Sequence, residues 1–463
     1  MGSHSKRIGV GLLLAGLLGC SAKPQGTGPN RPEVSLTPQD RILVLAPHPD
    51  DEVLGCGGIL QTAVAMHLPV RVVFFTYGDN NQWSFLVYRK HPVLMPHAVQ
   101  SMGQVRHHEA VAATAVLGVD ASQLTFLGYP DFGTLKIWNA HWGVSPPLRS
   151  MLTRVTAVPY PNARRPGAAY KGEEVLRDLT EVLREFRPTK VFVSHPGDHM
   201  PDHRALYLFT RVALWDLEPE LRPELYPYLI HFKRWPRPRG YRPQEPLRPP
   251  EVWQQAVVWR SHPLRDDEVA RKHTAIKAHH TQYRSSGQYL LSFIRPNELF
   301  GDFPTVRLAQ PTGSIPLSVG EVADSGEAPE ELTEQERAVF VGVETRSVQR
   351  EGDEVVLSIA FSRPLAEAVE ASVYVFGYRR DRPFADMPKL HVKIGALRHT
   401  VYDQERPLPA DTVELKRGLK HWVLRVPLQA LGYPERLLTS AQTSLGEVPL
   451  DWVSWRILEL QSE

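Results

Sequence analysis

Histidines and aspartates crowd two short stretches of this chain, and their spacing suits metal-assisted hydrolysis. The first is Leu45-Ala46-Pro47-His48-Pro49-Asp50-Asp51-Glu52, and the second runs from His195 through Asp198, His199 and Met200 to Pro201-Asp202-His203-Arg204. Zinc in catalytic sites takes three protein ligands from His and Asp or Glu and leaves a fourth position for water. His48, Asp51 and one histidine of the second stretch supply that number. A plainer reading is that Asp50 and Asp51 cap a following helix and complement its positive end. One carboxylate would suffice for a cap, and three histidines within nine residues of the second stretch shift the balance toward a ligand set.

Both stretches must be held by the elements around them. The run Arg41 to Ala46 is aliphatic without polar alternation, as in a strand buried on both faces of a parallel sheet. Pro47 and Pro49 stop it, and Glu52 to Met66 carries apolar residues at helical spacing. The second stretch lies between a strand at Lys190 to Ser194 and a helix at Ala205 to Leu217. Further strands at Val70 to Thr76 and Leu124 to Leu127 alternate with helices at Val105 to Leu117 and Glu173 to Phe186. The pattern predicts a Rossmann-like α/β fold: a mostly parallel sheet with helices on both faces. In such a sheet both turns open on the carboxyl edge, where sites are built.

These residues resemble the PIG-L/LmbE-like zinc-dependent N-acetylglucosaminide de-N-acetylases, whose hallmark is a Pro-His-Pro-Asp-Asp-Glu turn paired with a later Pro-Asp-His turn. The first motif is present as Pro47 to Glu52 and the second as Pro201-Asp202-His203; Arg106-His107-His108-Glu109, Tyr129-Pro130-Asp131 and Ser292 to Phe300 also look family-like. The resemblance implies that His48, Asp51 and His203 bind one zinc ion and that Asp50 is the general base. It also implies that Arg106 and Asp131 contact the substrate, although a helix-start salt bridge and a turn aspartate are equally good accounts of them. Family members carry an auxiliary histidine three residues before the metal histidine, where this chain has Met200. His199 is the natural substitute in that catalytic role, and His195 is second.

The implied chemistry is hydrolysis of an N-acetyl group on an amino sugar. Bound zinc lowers the pKa of its water toward about 7 and polarises the carbonyl, Asp50 takes the proton, and His199 or His195 assists the oxyanion. Cys56 lies among glycines inside the predicted helix and reads as a small packed residue. The irregular segments Tyr77 to Met102 and Asp131 to Gly172 contain Trp83, Phe85, Tyr88, Trp138 and Trp142, which read either as a sugar-binding lining or as local core. Trp235 to Pro250, dense in proline and arginine, reads as an extended strap, and Asp266 to Tyr283 as a helix.

Lys6 and Arg7 precede an apolar stretch ending in Leu17-Leu18-Gly19-Cys20, which resembles a bacterial lipobox. The expected organisation is a lipoprotein signal peptide (1–20) with Cys20 as the lipidated residue, a tether (21–38), the deacetylase domain (39–305), a Gly/Pro/Ser/Glu-rich linker (306–336) and a β-sandwich-like domain (337–463). Residues 1–35 are expected to stand outside the fold. Cys20 and Cys56 are the two cysteines, so lipidation of Cys20 leaves no intrachain disulfide. The charge balance of 53 Lys+Arg against 51 Asp+Glu, without a long basic run, argues against a nucleic-acid partner. The expected partners are an N-acetylated sugar or polysaccharide and, through the N-terminal lipid alone, a membrane. The resulting expectation is an exported, lipid-anchored envelope enzyme. Its alternative is a non-catalytic glycan-binding lipoprotein built on the same domain. The β domain reads either as a glycan-positioning module or as a structural appendage.

Overall fold

A seven-stranded sheet in the order β3-β2-β1-β4-β5-β7-β6 carries the two motif turns. The computed structural model describes residues 31–80, 96–310, 313–317 and 332–461. The signal peptide, Cys20, Trp83, Phe85 and Tyr88 lie outside the described residues. Strands β1 (Ile42–Ala46), β2 (Val70–Thr76), β3 (Leu124–Tyr129), β4 (Lys190–Ser194) and β5 (Glu224–Tyr228) are mutually parallel. Strand β6 (Val258–Pro263) and strand β7 (Asn297–Asp302) close the far edge in antiparallel fashion. Strand order reverses between β1 and β4, so the crevice for a ligand opens between the turns that follow these two strands.

The helices of this part are α1 (Asp51–Ala65), α2 (Pro96–Val116), α3 (Thr134–Ala140), α4 (Gly172–Phe186), α5 (Pro201–Asp216), α6 (Asp266–Ala278) and α7 (His280–Leu290). Helix α1 is buried along most of its length and sits close to its neighbours. A Cβ at Gly55 would meet the Tyr228 ring, and one at Gly58 would meet Leu264. Cys56, in the same helix, is a buried free thiol, and burial pushes its pKa up; it is the small packed residue its surroundings suggest.

Several elements differ from expectation. The N-terminal boundary shifts: Val34 is buried in the core and pairs through its N–H with Ser261 O, so Pro32 to Leu36 belong to the fold. Helix α2 starts at Pro96. The segment read as irregular from 131 contains α3, in which Trp138 is fully buried. Trp138 and Trp142 are core: Trp138 packs on Phe209, Phe376, Phe384 and Trp455 at ring distances of 5.0, 5.8, 5.2 and 6.1 Å. The single helix expected over Asp266 to Tyr283 breaks at His279, because that residue leaves helical geometry (φ −78°, ψ 65°) to bring its Nε2 2.9 Å from Glu52 Oε1.

Within the stretch read as a linker, β8 (Val306–Leu308) and β9 (Ile315–Pro316) are strands and α8 (Glu334–Ala338) is a short helix. The strands that follow are β10 (Val343–Glu351), β11 (Glu354–Phe361), β12 (Val369–Tyr378), β13 (Lys389–Ile394), β14 (His399–Asp403), β15 (Arg406–Leu408), β16 (Glu414–Arg417), β17 (His421–Pro427), β18 (Arg436–Leu445), β19 (Val448–Trp452) and β20 (Arg456–Leu460). They form two sheets, β16-β17-β11-β10-β9 and β15-β14-β13-β12-β18-β20-β8, with β19 paired to β18. All pairings are antiparallel except that of β20 with β8.

Strand β12 joins the two halves through its period of two. Val369, Ala371, Val373 and Val375 face the core shared by the two sheets, whereas Tyr374, Phe376 and Tyr378 enter the core of the α/β part. Residues from Pro32 onward form one compact unit.

Candidate metal centre

The first turn is built under strain. Asp50 stands at φ 123°, a conformation that L side chains rarely adopt. Its N–H is taken by Glu52 Oε2 at 2.8 Å, and its carbonyl accepts from Val53 and Leu54. Glu52 is fixed in turn by His279. The Asp50 side chain makes no capping hydrogen bond, so the helix-cap reading of this residue fails. Asp51 points back, its Oδ2 accepting from the His48 N–H at 3.0 Å.

The second turn follows β4. Ser194 Oγ donates to His203 O at 2.7 Å, and Asp198 Oδ1 accepts from the Met200 N–H at 2.9 Å. Pro201 opens α5, so His203 sits in a rigid first helical turn rather than on a loop.

The two turns bring His48, Asp51 and His203 together, with one ligand atom of each within 4.8 Å of the others. His48 Nδ1 is 3.2 Å and His203 Nε2 is 3.1 Å from Asp51 Oδ2. All three are buried, yet neither ring nitrogen of His203 makes a hydrogen bond of good geometry. Two imidazoles and a carboxylate that converge in a buried site, with both ring nitrogens of His203 lacking a hydrogen bond of good geometry, fit a divalent transition ion. Burial alone would raise the Asp51 pKa, but the His203 and His48 rings hold it well below the usual carboxylate range.

Both histidines are backed by carboxylates, the arrangement that fixes the tautomer and orientation of metal-binding imidazoles. His48 Nε2 lies 3.0 Å from Asp131 Oδ1 and 3.1 Å from Asp202 Oδ2. His203 Nδ1 lies 3.1 Å from Asp198 Oδ2, which also accepts from the Ile230 and His231 N–H groups. His48, Asp131 and Asp202 are themselves close enough to form a second ligand set. Asp202, however, is occupied by the N–H groups of Phe132 and Thr134 and the Thr134 hydroxyl, which makes it a support for His48.

Asp50 stays outside the ligand set. Burial pushes its carboxyl up to about 7, against the pull of the nearby Arg106 guanidinium, whose Nη2 is 3.6 Å from Oδ2.

Four side chains take places different from those expected. Arg106 is fully buried, donating to the carbonyls of Gly78 and Pro49 at 2.5 Å each, so it positions the Asp50 turn and offers no surface to a sugar. Asp131 is buried between His48 and the Asn80 N–H and supports the metal histidine instead of the substrate. His195 is a core residue at ring distances of 5.1 and 5.8 Å from Trp253 and Trp259, and burial pushes its pKa down to about 3. His199 turns its ring toward Phe232 and Trp452, at 5.0 and 5.6 Å. The ring next to His203 belongs to His231, with centroids 5.0 Å apart.

His231 was not legible beforehand. It follows β5, whose Pro227 makes the segment read poorly as a strand. Tyr289 stacks on His231, and its hydroxyl donates to Ile230 O at 2.6 Å while lying 3.3 Å from His231 Nδ1. Burial pushes the His231 pKa down to about 4, so the ring is neutral at pH 7. With Nδ1–H directed to the tyrosine oxygen, its Nε2 remains a hydrogen-bond acceptor beside the metal histidine. Asp198 and Asp202 were visible in the motif, but their partners were not.

The PIG-L family, described as GlcNAc-PI de-N-acetylase, matches residues 43–214. The chain is similar to the 1D-myo-inositol 2-acetamido-2-deoxy-alpha-D-glucopyranoside deacetylase of a Mycobacterium species, 29% identical over 183 residues, 38% of this chain and 52% of that protein. The protein of the same name from Kribbella flavida is 28% identical over 309 residues, 58% of this chain and 92% of the relative. Among solved structures, N,N'-diacetylchitobiose deacetylase from Pyrococcus horikoshii aligns at 20% identity and a TM-score of 0.31, over 54% of this chain and 75% of that one. The chain spans about half the length of the first of these relatives. Residues 43–214, which hold both motif turns and every ligand of the candidate metal centre, are a PIG-L family domain.

Proposed function

We propose that this chain is a zinc-dependent amidohydrolase that removes the acetyl group from an N-acetylglucosamine-type sugar. The observation that carries the reading is the convergence of His48, Asp51 and His203 beside Asp50, a buried carboxylate that is not a ligand. When bound, the ion would polarise the acetamide carbonyl and make a water nucleophilic near neutral pH.

The chain's own residues do the rest. Asp131, Asp202 and Asp198 hold the two imidazoles, and Glu52, His279 and Arg106 hold the turn that aims Asp50. Asp50, with a pKa near 7, takes the proton of the attacking water and returns it to the departing amine. His231 accepts a hydrogen bond from substrate or water beside His203. The deacetylase names of the curated relatives support this reading. Met200 stands where the family histidine is missing, and His231, neutral with its Nδ1 turned to Tyr289, offers an acceptor there rather than an oxyanion donor; the converging ligand set with Asp50 beside it is what favours catalysis over a non-catalytic glycan binder.

The proposed setting is the bacterial envelope, with the protein anchored through lipid on Cys20. Its support is the Lys6-Arg7, apolar and Leu-Leu-Gly-Cys succession. Native protein should partition with membranes and Cys20→Ser protein should not; fully soluble native protein removes the anchor. The activity is tested by free-amine release from N-acetylglucosamine and its oligomers, with and without chelator. Metal-replete protein that releases no amine from any of them refutes the reading.

A further inference from the structure

The second motif turn is not framed by the α/β part alone. Gly197 is so close to the connection after β19 that a Cβ on it would stand 3.3 Å from Ser454 Cβ. One step along the chain from Asp198, the His199 ring meets Trp452 edge-on, at 5.6 Å and 85°. The Arg204 guanidinium, directly after metal-centre residue His203, lies over the same indole at 5.3 Å. Trp452, His199 and Phe232 are all half-buried, and they come from two distant regions of the sequence. They are continuous with the metal centre: the His199 N–H donates to His231 O at 2.9 Å, and the His231 ring faces His203.

We infer that the C-terminal β region completes the substrate cleft, with Trp452 the wall of an outer subsite that receives the pyranose next to the acetylated sugar. The inference deepens the deacetylase reading and rests on it. Half-buried aromatic rings beside a polar reaction site give flat apolar area that suits the C–H face of a sugar ring. Trp138 and Trp142 cannot serve, being fully buried in the seam between the two parts. Trp452 is fixed by Arg204 and by β19 pairing with β18, so it offers a pre-set surface rather than a mobile one. The occupant is accordingly an oligosaccharide and not a lone monosaccharide.

The test uses full-length, metal-loaded Asp50→Asn protein, so that ligand is not consumed, with N-acetylglucosamine tetramer as probe in calorimetric titration. Adding Trp452→Ala should weaken tetramer binding about tenfold or more, the scale of one lost aromatic contact with its packing. Zinc content should be unchanged, and Trp452→Phe should restore most of the affinity. Should Trp452→Ala fold poorly, Phe232→Ala reads the same wall and must also weaken binding. Tetramer affinity unaltered in a folded Trp452→Ala or Phe232→Ala protein overturns the inference, and so does tetramer bound no better than monomer. Amine release by the parent protein is measured alongside. If amine is released while the tryptophan is indifferent, only the outer subsite fails. If neither release nor binding occurs, the deacetylase reading falls too.

Discussion

His203 turns its Nδ1 to Asp198 Oδ2 at 3.1 Å, on the side of the ring away from the nitrogen that faces Asp51. The ring of this candidate ligand thus stands beside a carboxylate that also caps the loop after β5. Asp198→Asn should fold and still bind zinc, with affinity reduced about 10–100-fold, as for other lost supports of ligating histidines. Competition with a chelator reads this directly. His203→Ala should retain no stoichiometric metal, and a variant that does so disproves the ligand assignment.

Asp50→Asn should keep the metal and lose turnover by about 10²–10⁴-fold, the usual contribution of a general base. The amide retains the size of the carboxylate in the strained turn, so stability should change little. Near-normal rates in metal-replete protein would place the base elsewhere.

His231→Ala should lower turnover by about tenfold or more with zinc retained, because it removes a hydrogen-bond acceptor beside His203. The structure thereby reverses the expectation for His199: its ring faces Phe232 and Trp452, so His199→Ala should reduce affinity for longer glycans more than turnover. Equal loss of turnover in both variants would leave His231 without a special role.

His195 predicts an acid sensitivity of the fold. Its pKa falls from 6.5 in the unfolded chain to about 3 in the core, so between these values the unfolded state holds the extra proton and stability rises with pH. The stabilisation is complete above pH 6.5 and is lost as pH falls toward 3, on the order of 3–5 kcal/mol over that range. Comparing denaturant unfolding of native and His195→Phe protein across this range should show a shallower pH slope in the variant. Identical slopes would mean that His195 is protonated in the fold.

Lys272 and Glu298 form a buried pair at 2.6 Å that ties α6 to β7, while Glu298 also accepts the N–H groups of Gly58 and Ile59 and Lys272 donates to Leu54 O. Lys272→Met should destabilise by about 3–5 kcal/mol, since it leaves a buried carboxylate without its cation. A melting temperature within a degree of the native value would show that the backbone donors alone suffice.

The sequence by itself determined the parallel sheet and singled out the candidate ligand set, because both are written locally. Uninterrupted aliphatic runs such as Ile42–Ala46 and Lys190–Ser194 are strands buried on two faces, and the motif residues lie immediately after them. Once the strands are parallel, both turns must open on one edge. Tertiary structure alone decided which groups surround those ligands. Arg106 and Asp131 have the residue types of sugar contacts, and only burial beside Pro49, Gly78 and His48 makes them supports. His231, 28 positions from His203, reaches it because β5 lies beside β4, and the proline in β5 concealed that strand. Tyr374, Phe376 and Tyr378 look like ordinary strand residues. That their face of β12 packs on Trp138 and Trp215, and so brings Trp452 beside the loop after β4, depends on contacts between segments more than 150 residues apart, which no local pattern encodes.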